Sequence, residues 1–153
     1  MKAQYVNPFY QATIDVFKLM LDLDINRCKN DACSEMLGKR EVGVVIDITG
    51  DLTGSILYRF PESMILKMVK IMSGMEIEGL DGFVTSALGE VSNIISGNAV
   101  SKLSSEDYKC DIKPPRIVVD EGKPLTLDDG TVLKIPLETT IGELQIQISL
   151  KEN

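Results

Sequence analysis

The chain contains no histidine among its 153 residues. That absence removes Ser-His-Asp and Cys-His nucleophilic systems, histidine zinc sites and histidine acid–base work. Neither GxxxxGK[ST] nor GxGxxG occurs, so the usual phosphate-cradling loops are missing. Any catalysis falls to carboxylates, amides, hydroxyls, thiols or a metal. No apolar run approaches the ~20 residues that span a bilayer. The start, Met1 to Pro8, lacks the apolar core of a signal peptide, so the cytosol is the expected compartment. Cys28, Cys33 and Cys110 are an odd set without close pairs, which suits reduced thiols better than a disulfide framework. Positive charge is in the minority: 16 Lys and Arg against 23 Asp and Glu leave a net charge of −7. Such a surface argues against binding a nucleic-acid backbone or an anionic membrane.

What is present is an ordinary globular composition, 44 % hydrophobic and 25 % charged, enough for one domain over residues 1–153 with a sizeable core. Asn7-Pro8 predicts a helix start, with Asn7 as N-cap, and the helix runs over 7–21. Val6, Phe9, Tyr10, Thr13, Ile14, Phe17, Met20 and Leu21 form its core-facing stripe. Residues 22–40 are polar, with weak alternation at Leu23, Ile25 and Arg27, compatible with a short edge strand and a loop. Residues 41–48 and 52–60 read as a hairpin around Thr49-Gly50-Asp51. Pro61 opens a helix to Met72, closed at Ser73-Gly74. Its methionines are read as core packing. Asp81 can cap a helix over 82–103. Residues 104–113 are a polar connection with a strand start, followed by Pro114-Pro115 and a short strand at 116–119. Leu125–Leu127 and Thr131–Leu137 flank Asp128-Asp129-Gly130 as a second hairpin. Pro136 suggests an edge position or a bulge there. In 142–150, Leu144, Ile146, Ile148 and Leu150 alternate with Gln145, Gln147 and Ser149, as in a half-buried strand. The blocks of helices and hairpins predict an α+β fold, with helices packed on a mostly antiparallel mixed sheet.

The helix at 82–103 is the informative element. At 100° per residue, with Glu90 at zero, Gly97 falls at about −20°, Ser86 at about −40°, Asn93 at about −60° and Ser101 at about +20°. Val84, Ala87, Leu88, Val91, Ile95 and Ala99 gather on an arc centred at about +120°, with Ile94 between the two. The polar stripe has one formal charge, no Lys or Arg, and little bulk. Gly97 inside a helix costs up to ~1 kcal/mol relative to alanine, tolerable where something must approach closely. The residues leave two readings open: a docking face, or packing against another helix of the same chain.

Ser86-x-x-x-Glu90-x-x-Asn93 resembles the (Asp/Ser)-x-x-x-Glu-x-x-Asn pattern of the CheC/CheX/FliY phosphatase family. It is the chain's single ExxN, it lies in mid-helix, and Gly97-Asn98 follows as in that family. The resemblance extends to Asn7-Pro8-Phe9 with its helix, to Thr49-Gly50-Asp51-Leu52-Thr53-Gly54 between the paired strands, and to Met72-Ser73-Gly74. It covers nearly the whole chain. CheC-like members often carry two copies of the pattern and CheX one, so a single copy favours the CheX branch. Serine rather than aspartate at position 86 is within the family's range.

The resemblance implies a phosphatase acting on the aspartyl phosphate of a phosphorylated CheY-like response regulator. Such a site already holds a metal and a lysine, and hydrolysis needs a water placed in line with the phosphorus–oxygen bond. A carboxamide both donates and accepts hydrogen bonds, and Asn93 is the residue assigned to hold that water. By the same resemblance Glu90 pairs with the partner's lysine, Ser86 lies at the margin of the contact and Gly97 lets the partner approach. No cofactor of its own is expected, and Mg²⁺ is expected in the regulator. Asp128-Asp129 and Glu76/Glu78 are the nearest acidic clusters, explained by turn and loop chemistry. Cys28 and Cys33 do not have zinc spacing. The resemblance further implies a homodimer formed through sheet edges. The competing readings are a module of the same fold that binds a regulator without hydrolysis, and a flagellar-switch interaction protein.

Overall fold

The computed structural model describes residues 1–28, 40–119, 125–127 and 130–153. Its elements are α1 (Ala3–Leu21), β1 (Asn26–Arg27), β2 (Glu41–Gly50), β3 (Leu52–Pro61), α2 (Glu62–Ser73), α3 (Gly82–Ser105), β4 (Cys110–Ile112), β5 (Arg116–Val119), β6 (Leu133–Thr139) and β7 (Gly142–Glu152). The seven strands form one sheet in the order β1-β6-β7-β3-β2-β4, and β5 also pairs β2. Every one of these pairings is antiparallel. The expected α+β arrangement of helices on an antiparallel sheet is therefore the one observed.

Side-chain alternation assigns the two sheet faces. Val42, Val44, Ile46 and Ile48 of β2, Ile56, Tyr58 and Phe60 of β3, and Leu144, Ile146, Ile148 and Leu150 of β7 all join the core beneath the helices. The opposite face is polar yet buried. Arg59 donates to both carboxylate oxygens of Glu41, at 3.0 and 2.9 Å, and also to Gln145. Gln147, expected on a solvated face, is fully buried. Its amide donates to the Leu125 carbonyl at 3.1 Å and accepts from the Leu127 N–H at 2.9 Å. The Leu125 N–H donates to Glu41 at 3.0 Å. Residues 125–127 are thus a strap across this face rather than the expected strand, because side chains satisfy the backbone groups that a strand ladder would use. Asp128 and Asp129 lie outside the described residues, and β6 starts at Leu133.

Helix α1 starts at Ala3, not at Asn7, and Pro8 lies inside it. Tertiary contacts hold the extra turn. Tyr5 and Val6 are buried, Tyr5 stacks edge-on against Tyr108, and Gln4 donates to the Tyr108 hydroxyl at 2.8 Å. These offset the backbone donor that proline lacks. The predicted α2 is present: Pro61 serves as its N-cap, and Gly74 closes it at φ 73°. Such a left-handed residue is the usual place for glycine. The short edge strand allowed for in 22–40 is β1, which pairs β6 at Asn26↔Glu138 and Arg27↔Leu137. Residues 29–39 lie outside the described ones. With so short a neighbour, β6 tolerates Pro136 close to the sheet edge. Cys110 is a free, buried thiol. Cys28 is disulfide-bonded, against the expectation of reduced thiols throughout, since an odd count still allows one pair. Among the described residues no helix is long and apolar enough to cross a membrane.

Candidate functional site on helix α3

Helix α3 begins at Asp81, whose side chain accepts the Val84 N–H at 2.9 Å. This cap satisfies one of the orphan donors of the first turn. Its buried residues are Val84, Leu88, Gly89, Val91, Ser92, Ile95, Ser96, Ala99 and Leu103. Their mean direction is about 180° from Glu90, well round from the +120° of the apolar residues alone. Ser92, Ser96, Gly89 and Leu103 lie beyond the apolar arc and Ala87 is not fully buried, which together account for the difference. Ser92 donates to the Leu88 carbonyl at 3.0 Å, and Ser96 shares a 2.8 Å hydrogen bond with the Tyr58 hydroxyl. Burial pushes the Tyr58 pKa upward, so its phenol stays neutral. Gly89 is also buried, and a Cβ there would lie 3.5 Å from Pro115. Hydropathy does not mark Ser92, Ser96 or Gly89 as core, because each is buried by a particular partner.

This seating turns Glu90 directly away from the sheet. Ser86, Glu90 and Ser101 are exposed, while Asn93 and Gly97 are half-buried. Residues three or four apart on a helix have Cβ atoms about 5–6 Å from one another, so Ser86, Glu90, Asn93 and Gly97 form one continuous strip. Among the described residues, no hydrogen bond or ion pair engages the side chains of Ser86, Glu90 or Asn93. A Cβ on Gly97 would meet nothing within 4 Å. Among the described residues, no packing partner accounts for the strip.

The neighbouring helix sits to one side. Lys102 pairs with Asp15 of α1 at 3.6 Å, and Tyr5 meets Tyr108 just beyond α3. The two helices run antiparallel. A cleft of about 310 Å³ lined by Asp15, Asn98, Ser101, Lys102 and Ser105 lies between them. Asn98 and Lys102 fall at about +80° and +120° on α3, so α1 flanks the strip without covering it. Of the acidic pairs, Glu76 is bound by Lys70 at 2.5 Å, and Asp128-Asp129 are not among the described residues. Among the described residues no group of three or more His, Cys, Asp or Glu side chains could hold a metal ion.

The whole arrangement has known counterparts. A CheX protein from Vibrio vulnificus superimposes with a TM-score of 0.84 at 26 % identity, covering 99 % of this chain and all of that one. The CheX of a CheX–CheY–BeF3–Mg²⁺ complex from Borrelia burgdorferi has a TM-score of 0.75 at 21 % identity, covering 97 % of this chain and 98 % of that one. Three helices on this sheet thus define a CheC/CheX-like domain. In sequence, the family model "Chemotaxis phosphatase CheX" matches residues 42–138. The CheY-P phosphatase CheX of Thermotoga maritima is 30 % identical over 99 % of this chain and 98 % of its own length. The chain belongs to the CheX family of chemotaxis phosphatases.

Proposed function

We propose that the chain hydrolyses the aspartyl phosphate of a CheY-like response regulator by inserting α3 into the regulator's phosphorylation site. One observation carries the reading: Glu90 and Asn93 stand side by side on the outward face of α3 with no partner among the described residues. Polar groups left unengaged on a rigid helix are preorganised for a partner. The T. maritima relative is named for activity on CheY-P, and the B. burgdorferi complex holds CheY with BeF3 and Mg²⁺.

In this reading Asn93 holds a water in line with the phosphorus–oxygen bond of the regulator. The water oxygen attacks phosphorus, the bond to the aspartyl carboxylate breaks, the carboxylate leaves, and the water's proton passes to solvent. Charge in such a transition state is stabilised by positioned groups rather than by covalent chemistry. The regulator supplies the Mg²⁺, and Glu90 receives the regulator's cationic side chain, which sets the register. Gly97 leaves room for the regulator's backbone, and Ser86 lies at the contact's margin. The setting is cytoplasmic, and residues 1–153 act as one domain. The active species is a homodimer joined through an open sheet edge, for which β1 and β4/β5 are the described candidates.

The test is loss of phosphate from a purified, phosphorylated CheY-family protein with Mg²⁺, comparing wild type with Asn93→Ala. Loss that is fast with wild type and absent with the variant is the expected result. Equal, slow loss with both would overturn the reading in favour of a binding or switch-assembly role.

A further inference from the structure

Two large apolar side chains beside the strip contribute little to the fold. Phe83 is 52 % exposed and Leu19 is 86 % exposed. Phe83 sits in the first turn of α3, at about +20° from Glu90 and about 10 Å before it along the axis. It therefore belongs to the same outward face as Glu90 and Asn93. Leu19 projects from α1. The Lys102–Asp15 pair fixes the level of the two antiparallel helices. Asp15 shares a cleft with Asn98, Ser101 and Lys102, so Leu19, one turn onward on the antiparallel helix, lies a turn farther toward the Asn93 end of α3. Half-buried Ile94, at about +40° on α3, fills the surface between Leu19 and the strip.

Scattered exposed apolar residues need no explanation. These two differ in placement: one lies ahead of the Glu90–Asn93 pair and the other lies beside and beyond it. The rim around them is acidic. Asp22 and Asp24 follow the end of α1 near Leu19, and Lys18 is held by both at 3.2 and 3.4 Å. Lys102 is engaged by Asp15. A partner for this face must present apolar surface to Phe83 and Leu19 and a cation toward Glu90.

We infer that Phe83 and Leu19 are the apolar anchors on which the phosphorylated regulator rests, and that together they fix its orientation about Asn93. The inference rests on the reading of α3 as the phosphatase helix. Contact along one strip leaves the docked protein free to rock about the helix axis. Leu19, off that line on α1, removes the freedom, Phe83 adds a hold farther along the line, and in-line attack depends on such orientation. Aromatic and aliphatic side chains that become buried only on association are where binding energy concentrates.

The experiment is steady-state turnover of a CheY-family protein kept phosphorylated by a small-molecule phosphodonor, with kcat and KM resolved. Wild type, Phe83→Ala, Leu19→Ala, the double variant and Asn93→Ala are compared. Both side chains are largely exposed, so melting temperatures should stay at the wild-type value. Each single change should raise KM roughly tenfold and the double roughly a hundredfold, since separated sites add, and the double should also lower kcat roughly tenfold as the docked regulator loses its orientation. Phe83→Leu, which keeps apolar bulk, should restore most of the loss. An unchanged KM in the double variant, with turnover abolished by Asn93→Ala, would overturn the anchors and leave the phosphatase reading standing. Wild-type turnover in Asn93→Ala would instead overturn the phosphatase reading, and the anchors with it.

Discussion

Helices α1 and α3 lie antiparallel on the same sheet face, and both turn a polar surface outward. Those surfaces are built differently. On α1, Lys18 is shared by Asp22 and Asp24, Gln11 donates to Asp15 at 3.0 Å, and Asp15 also receives Lys102. It is a solvated face whose polar groups answer one another. On α3, the Ser86–Gly97 strip has no such pairing among the described residues, and its glycine faces open space. A surface maintained only for solubility gains from paired charges and from alanine rather than glycine. On the proposed reading, the unpaired, low-bulk face is the one that receives the regulator.

The largest expected effect tests that contrast at its centre. Asn93→Ala should lower the dephosphorylation rate by ~10²–10³-fold, the scale for losing one positioned polar group in a reacting site. Binding of the phosphorylated regulator, measured by titration with a non-hydrolysable phosphoryl analogue, should change far less. A smaller effect is expected at Glu90. A hydrogen bond to a charged group is worth about 1.5–3 kcal/mol, so Glu90→Ala should lower kcat/KM by ~10–100-fold, chiefly through KM. If Glu90→Ala left KM unchanged and reduced kcat alone, Glu90 would act in the chemical step rather than in docking.

These residues were legible before the fold because the pattern is local: Ser86, Glu90, Asn93 and Gly97 follow one another at helical spacing. The β2–β3 hairpin, α2 and the alternation of β7 were legible for the same reason. What escaped depends on partners distant in sequence. Ser96 is buried because its hydroxyl meets that of Tyr58, far away in the chain. Leu125–Leu127 read as a strand, yet Glu41 and Gln147 hold it as a strap. The α1 start was displaced because Tyr5 and Gln4 find Tyr108 about a hundred residues away. The two readings of Gly97 stayed open in the sequence because helical spacing does not say what lies opposite a residue.

Gly97 gives a prediction in which stability and function move in opposite directions. Nothing among the described residues occupies the space of a Cβ there, and alanine is the better helix former. Gly97→Ala should therefore stabilise the fold by up to ~1 kcal/mol, read from denaturant midpoints. The same methyl group would stand where the regulator is to approach, so kcat/KM should fall severalfold. A variant both more stable and fully active would show that the glycine serves no close approach.

The smallest effect belongs to α1, and it completes the comparison. Lys18 has a raised pKa, caused first by its hydrogen bond to Asp22 and then by the charges of Asp24 and Asp22. A cation whose pKa is higher in the folded state contributes fully below the unfolded lysine's titration. That contribution is lost as the pH rises through the folded value. Lys18 is exposed, so salt screens the interaction and its worth is small. Lys18→Ala should therefore lower the melting temperature slightly at neutral pH and low salt. The difference from wild type should vanish at high salt or above the lysine range, and turnover should match wild type throughout. If turnover fell along with Lys18, the docking surface would extend on α1 beyond Leu19 to its paired polar groups, and the absence of internal partners would no longer separate a working polar face from a merely solvated one.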